Sequence, residues 1–380
     1  MKSILMLFSM SFEPYQGRYL RAYNEAKTLV ENGYQVTVLG WDRSGRSTPC
    51  EVRDGIRIER IHQAAPDRTG INSLPSFIRF CAKVIHHVKK GRFDLIHCHN
   101  LQLLPLGILL KRLKKVPLIF DSCEPDYFAL YPRKLQDMVK SFEKLMANRA
   151  DVIFVHNDYQ VKKYHTLGHK LVTLIGSYPT KEMRPDPVEK PSIKREVVLG
   201  RIGSIYQDNG IEEILAGFRL LSRSMENVSL LFAGRVFDSY QNDFERLTQG
   251  IGDKVKVLGA FDCHDMCKLY SQIDVSIIIY HRSAWFKNIT PTKFFDSLAM
   301  GVPVIVSDMG GLKEIVEHYR CGIVVDERDP EEVAEAIKKM CENPALRYDM
   351  AINGLRAVKE NYNWERMQER LLRAYSIVMT

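Results

Sequence analysis

Asn288, Thr290, Pro291, Lys293 and Asp296 lie close enough in sequence to build one anion-binding corner. Thr290 is placed to cap a helix and Pro291 suits its first turn, where a missing N–H costs nothing. The amides of Thr292, Lys293 and Phe294 are then expected to point outward, with a lysine among them, and a helix N-terminus of that kind favours phosphate. Asn288 precedes the cap and Asp296 follows eight positions later, so both can face one ligand; a diphosphate carrying a ribose and a sugar would fit. A helix followed by a strand over 303–307 is by itself an ordinary pair, and the Asn, the Pro and the Lys raise the functional reading above it.

The elements that must hold this corner follow from hydrophobic periodicity. Short apolar runs alternate with helix-length segments along the whole chain, which implies two parallel sheets covered by helices. Strands are expected over 2–8, 35–40, 56–61, 94–98, 117–121, 152–156 and 171–175, then over 196–202, 228–233, 255–259, 275–279, 303–306 and 322–325. Between the two groups, Pro179, Pro185, Pro187 and Pro191 block regular structure and mark a linker. A chain of 380 residues exceeds what one core usually supports. The expected division is a first domain over 1–178, a linker over 179–195, a second domain over 196–362 and a last helix over 363–380.

The segment from Asn288 to Ser307 resembles the Glu-x7-Glu segment of family 4 glycosyltransferases, retaining nucleotide-sugar enzymes of the GT-B fold. Asn288 and Asp296 stand where the two glutamates face the donor sugar and the ribose, and Lys293 and the Gly301-Val-Pro-Val-Ile turn also match. The resemblance runs through nearly the whole chain. It takes in the first loop with Gly17 and Arg18, the His97-Cys-His99-Asn100 strand end, the strand before His156, and the loop from Ile202 to Gly210. It implies two Rossmann-like, doubly wound α/β domains with a cleft between them, an acceptor-binding first half and a nucleotide-sugar-binding second half. The last helix is implied to pack back on the first domain.

Within that resemblance the chain departs at four positions. The family commonly carries Gly-Arg at the donor loop and Lys-Gly six residues later; here Gly203 is followed by Ser204, and Asn209 takes the place of the lysine. Two cations that grip the diphosphate are missing, with Lys293, Arg201, Arg235, Arg282 and Arg18 as candidate replacements. Asp121-Ser-Cys123-Glu124 resembles an Asp-x-His-Glu run whose histidine is treated as catalytic; here it is Cys123, and a thiol is a poor base near neutrality. The role would then fall to Glu124 or His99, beside Asn288 on the donor sugar. Alternatively, His97 and His99 straddle a strand end, one in the core and one out. Expected donor contacts are Gly17, Arg18, Gly203, Ser204, Asn209, Arg235, Thr292, Lys293 and Asp296.

A transferase of this type supplies cations and helix dipoles to the leaving diphosphate, and no Asp-x-Asp motif occurs, so no metal and no cofactor beyond the donor substrate are expected. Cys263-His264-Asp265-Met266-Cys267 offers only three soft ligands and reads as a helix start. The eight cysteines show no framework spacing, and neither a membrane span nor a signal-peptide layout is evident, which suits the cytoplasm. Charge is uneven: residues 1–190 hold 30 Lys+Arg against 19 Asp+Glu, leaving 24 against 27 for the rest. Such asymmetry points to an anionic partner for the first half. Phe77, Ile78, Phe80, Cys81, Val84, Ile85 and Val88 recur at helical spacing opposite Arg79, Lys83, His86, His87, Lys89, Lys90 and Arg92, with Lys111, Arg112, Lys114 and Lys115 following. A sheet-covering helix with a solvated basic face accounts for this, and that face could also dock on anionic lipid at the inner face of a membrane.

The reading is a glycosyltransferase moving a sugar from a nucleoside diphosphate to a lipid-linked or polysaccharide acceptor, with no nucleic-acid partner. The alternative is a GT-B-shaped nucleotide-sugar binder of weak or no activity, favoured by the changes at 123, 204, 209 and 288. A nicotinamide dehydrogenase fits poorly, because Gly200-Arg-Ile-Gly203 lacks the remaining glycine of the dinucleotide loop.

Overall fold

The computed structural model describes residues 1–13, 19–65, 71–183, 196–207, 209–222, 224–281, 283 and 285–379. It divides into two compact units, Met1–Ser177 with Met367–Thr380, and Tyr178–Arg366. The described part of the proline-rich segment, up to residue 183, groups with the second unit.

In the first unit β1 (Ser3–Leu7), α1 (Leu20–Glu31), β2 (Gln35–Asp42), β3 (Cys50–Arg53), β4 (Ile56–His62), α2 (Leu74–Lys90), β5 (Leu95–His99) and α3 (Leu104–Lys114) follow one another. Then come β6 (Leu118–Ser122), α4 (Arg133–Ala147), β7 (Val152–Val155), α5 (Asp158–Thr166) and β8 (Val172–Leu174). Among the described residues the strands form one sheet in the order β3-β4-β2-β1-β5-β6-β7-β8. Strands β5, β6 and β7 are buried along their whole length, as parallel strands covered on both faces must be. The sheet is not purely parallel, as the periodicity implied: β3 runs antiparallel to β4. Asp54 and Gly55, at φ 49° and 76°, make the two-residue hairpin turn between them. The strand escapes notice because Cys50-Glu-Val-Arg53 is a short, half-exposed edge with one aliphatic residue.

Helices α2, α3 and α4 bury Phe80, Val84, Val88, Leu106, Leu110 and Ala147 in one core cluster. Ile78, expected on the apolar face of α2, is instead 59% exposed.

The second unit runs β9 (Val197–Ile202), α6 (Ile211–Ser222), β10 (Val228–Ala233), α7 (Gln241–Thr248), β11 (Val255–Val257), α8 (Met266–Tyr270) and β12 (Val275–Ile278). It continues with α9 (Thr292–Ala299), β13 (Val304–Ser307), α10 (Leu312–Tyr319), β14 (Gly322–Val325), α11 (Pro330–Glu342) and α12 (Pro344–Glu360). The six described strands pair in the order β11-β10-β9-β12-β13-β14, all parallel. The last helix, α13 (Trp364–Met379), ends in the first unit, where Tyr375 is fully buried and Met367 Sδ accepts from the Gly176 amide. Among the described residues no helix is long and apolar enough to cross a membrane.

Loop approach at the strand ends depends on glycine. A Cβ on Gly234, at φ 155°, would fall 2.0 Å from the Gly203 carbonyl oxygen, whereas Gly250, at φ 78°, has open space around it. Gly250→Ala should therefore cost about 1 kcal/mol for conformation alone. Gly234→Ala should cost more than about 3 kcal/mol by adding a backbone clash. Urea unfolding of the two variants checks this, and equal losses would mean that the 203 and 234 loops do not meet.

Candidate active site

Strand β9 carries Arg201 into the core of the second unit, where the side chain is fully buried. Its Nη2 donates to the carbonyl oxygen of Asn209 at 3.1 Å and to the Asn209 side-chain oxygen. Its Nε and Nη1 have no hydrogen-bond partner among the described residues. Just beyond, Gly203 turns at φ 123°, and the space a Cβ would fill is taken by Lys293, whose Nζ would lie 2.6 Å from it. Strand β9 thus delivers one cation and a glycine seat for another. The guanidinium carbon of Arg201 lies 4.8 Å from the Tyr280 ring centre and Lys293 Nζ 5.3 Å from it. Burial and the neighbouring Arg201 pull the Lys293 ammonium down to about 8, against Tyr280 and Asp296. Burial pushes the Asp296 carboxyl up to about 7, with Lys293 opposing.

The helix end differs from expectation. Thr290 does not cap α9: its hydroxyl donates to the Gly310 carbonyl at 2.6 Å, and Pro291 occupies the cap position without a side-chain bond. The Phe294 amide is taken by the Pro291 carbonyl at 3.1 Å. The cradle is therefore narrower than three outward amides, because the Thr290 side chain is spent on closing the loop against Gly310. That loop, tied also by the Gly310 amide to the Lys287 carbonyl at 2.9 Å, holds half-buried Asn288.

Asn209 is buried and braced between Arg201 and the Ser204 carbonyl, which leaves it a structural strut where a lysine was missing. Ser204 and Thr292 are exposed. Arg235 is also exposed, over the Phe237 ring and 3.8 Å from Asp238, so it reads as a surface charge. Gly17, Arg18 and Arg282 lie outside the described residues.

In the first unit the end of β6 presents Asp121, fully buried and ringed by one guanidinium from α1, two imidazoles from β5 and a third from just after β7. Arg21 of α1 pairs with it and with Glu25 at 2.7 Å. His99 Nδ1 stands 3.3 Å, His156 Nε2 3.5 Å and His97 Nε2 3.7 Å from its oxygens. His97 and His99 do not point to opposite sides: positions i and i+2 of a strand share a face, and both are buried with rings stacked 4.3 Å apart. Burial would raise Asp121, but Arg21 and His99 outweigh it and hold the carboxyl well below the usual range. Burial depresses His99, so the imidazole is neutral. Burial, then Asp121 and Glu124, push the Cys123 thiol well up, while burial and Asp121 bring the Glu124 carboxyl to about 7. Of these groups Glu124 is suited to exchange protons near neutrality. Glu25, His97, His99 and Asp121 bring ligand atoms within 4.8 Å, as do Asp121, Cys123 and His156, yet Arg21 already supplies the positive charge to Asp121.

Two family profiles match this chain, the 4-like glycosyltransferase domain over residues 17–174 and the group 1 glycosyltransferases over 196–343. An uncharacterised glycosyltransferase of Methanocaldococcus jannaschii is 22% identical over 93% of this chain and 92% of its own length. The chain is a group 1, family 4 glycosyltransferase. Its fold is the two-domain GT-B fold. Sucrose-phosphate synthase from Thermosynechococcus elongatus superposes with a TM-score of 0.82 at 19% identity, covering 99% of both chains. Anabaena HepE in complex with UDP superposes at 0.76 and 17%, covering 99% and 100%. The chain is thus a transferase enzyme.

Three groups of the transferase went unread at the level of sequence: Arg21, Glu25 and Tyr280. Arg21 and Glu25 are four apart on α1, a spacing that signals an ion pair, but nothing local shows that the pair is buried against Asp121. Asp121→Asn would leave Arg21 charged inside the fold with Glu25 as its remaining carboxyl partner, one that burial pushes up to about 8, so urea unfolding near neutral pH should show a loss of about 3–5 kcal/mol. A loss under about 1 kcal/mol would mean that the pair is solvated.

Proposed function

We propose that this glycosyltransferase binds a nucleoside diphosphate sugar in the second unit and transfers the sugar, with retention, to a lipid-linked or polysaccharide acceptor. The observation that carries the donor side is the convergence of Arg201 and Lys293 beside Gly203, with no ion pair to either among the described residues. Two cations so placed would neutralise the departing diphosphate without a metal, electrostatic positioning being the main catalytic demand. The UDP held by HepE, of the same fold, supports the nucleotide part. In this reading Asp296 meets the ribose and Asn288 the sugar. The leaving phosphate takes the acceptor proton.

Lys293→Ala should weaken binding of the preferred nucleoside diphosphate about ten- to a hundredfold, the worth of a charge-assisted contact. Asp296→Ala should weaken it less, and Asn288→Ala should affect the sugar-bearing donor more than the bare diphosphate. Calorimetric titration with uridine, guanosine and cytidine diphosphate sugars checks all three. Unchanged affinity in the first two variants would place the donor elsewhere, and equal losses for both ligands would remove Asn288 from the sugar.

The acceptor side rests on the surface of α2, α3 and α4. In α4, Leu135, Met138, Phe142 and Leu145 form one stripe by their spacing, 41, 62, 40 and 53% exposed, and Lys134 and Lys144 lie beside it. On α3, Leu109 and Leu113 are likewise exposed. Apolar residues bordered by lysines, in a half with eleven surplus positive charges, fit an anionic bilayer, at about 1 kcal/mol per basic residue near the surface. Three lysines of the basic clusters are otherwise engaged: Lys83 donates to the His62 carbonyl, Lys111 to the Arg149 carbonyl and the Asp151 carboxylate, and Lys114 to the carbonyls of Lys89 and Gly91. The transferase should therefore sediment with anionic but not neutral vesicles at low salt, and Met138→Gln with Phe142→Gln should release it while donor binding persists. Equal partition onto both vesicles, or onto neither, would leave the stripe as plain surface.

A further inference from the structure

Tyr280 follows β12 and is almost wholly buried, 7% exposed. Cations face its ring from two elements: the guanidinium carbon of Arg201, from β9, lies 4.8 Å from the ring centre and Lys293 Nζ, from α9, 5.3 Å from it. Neither cation forms an ion pair with a carboxylate among the described residues. Asp296, three positions along α9 from Lys293, is itself pushed up to about 7 by burial and interacts with Lys293 but not with Arg201. The other groups around Tyr280 are the phenols of Tyr206 and Tyr270, both pushed up by burial, and the ring of Phe286 at 5.1 Å.

A fully buried Arg201 and a half-buried Lys293 with no carboxylate partner among the described residues are costly. Within the described site the phenol of Tyr280 is the oxygen acid that both of them face. Burial alone would raise it, yet Lys293 and Arg201 together outweigh burial and bring it down to about 7.

We propose that the Tyr280 hydroxyl is a resident stand-in for a donor phosphate: it balances Arg201 and Lys293 in the absence of donor and surrenders both cations to the diphosphate when the donor binds. This rests on the donor reading of Arg201 and Lys293. The exchange makes and breaks no covalent bond except O–H. The diphosphate brings its own negative charge, the phenolate is no longer favoured, and it takes one proton from solvent. The stand-in keeps the two cations aimed at the site without substrate, which lowers the ordering cost of binding. It also sets a sign: above about pH 7 the phenolate competes with the donor, so affinity falls as pH rises, by at most about tenfold per unit. Lys293, near 8, adds a fall in the same direction, so affinity alone does not separate the two.

Tyrosinate absorbance separates them. The full-length protein, titrated from about pH 6 to about pH 9, should show one tyrosine ionising well below the ordinary value of about 10. The band should vanish in Tyr280→Phe and move toward the ordinary range in Lys293→Met, and UDP or the nucleotide that binds best should bleach it. Calorimetry in two buffers of different ionisation heat should then record proton uptake that is smaller in Tyr280→Phe. No tyrosinate below about pH 9, a band that survives Tyr280→Phe, or one that a demonstrably bound diphosphate leaves unchanged would each overturn the stand-in. Failure of uridine, guanosine and cytidine diphosphates alike to bind would instead sink the donor reading and the handover with it, while the band in the free protein still reports whether Tyr280 balances the cations.

Discussion

Parallel strands cannot be joined by tight turns, so each must be followed by a crossover that leaves from the same edge of its sheet. That constraint gathers the loops after the strands at one edge in each unit, and the groups with chemical potential stand there. In the first unit they are His99 at the end of β5, Asp121 at the end of β6 and His156 just after β7. In the second they are Arg201 in β9, Gly203 and Gly234 just beyond β9 and β10, Tyr280 after β12 and Gly310 after β13. Ligand sites in open α/β sheets lie outside the carboxyl ends of strands for this reason.

The two units handle buried charge in opposite ways. In the first, Arg21 and Asp121 neutralise each other, and the three imidazoles around them stay uncharged through burial. The arrangement is closed, with its charges satisfied from within the fold, and it holds the β5, β6 and β7 ends in register. In the second, two cations meet a phenol and a carboxyl that both titrate near neutrality, so the charge balance depends on protonation. An unbalanced site is tolerated where ligand binding completes it.

The substitutions at the donor loop read differently once folded. Asn209, where the family's lysine would sit, ties Arg201 to the Ser204 carbonyl, and Arg201 reaches the same region from the strand instead of the loop. Charge lost from one backbone position is thereby available from another. Gly203 makes room, since any side chain there would strike Lys293.

Hydrophobic period and punctuation were enough to locate thirteen of the fourteen strands among the described residues within one or two residues, because buried parallel strands are continuous apolar runs. The exception, β3, is a half-exposed edge strand whose pairing depends on the Asp54-Gly55 turn rather than on burial. Motif order likewise pointed to the family, because spacing along the chain survives where identity has faded. What spacing could not decide was burial and the direction of side chains. Thr290 turns to Gly310 instead of its own helix, Arg21 is enclosed against Asp121 a hundred residues away, and Tyr280 meets cations from two distant elements. Each depends on contacts between segments far apart in sequence, and the electrostatic state of a group is set by what encloses it, which no local pattern encodes.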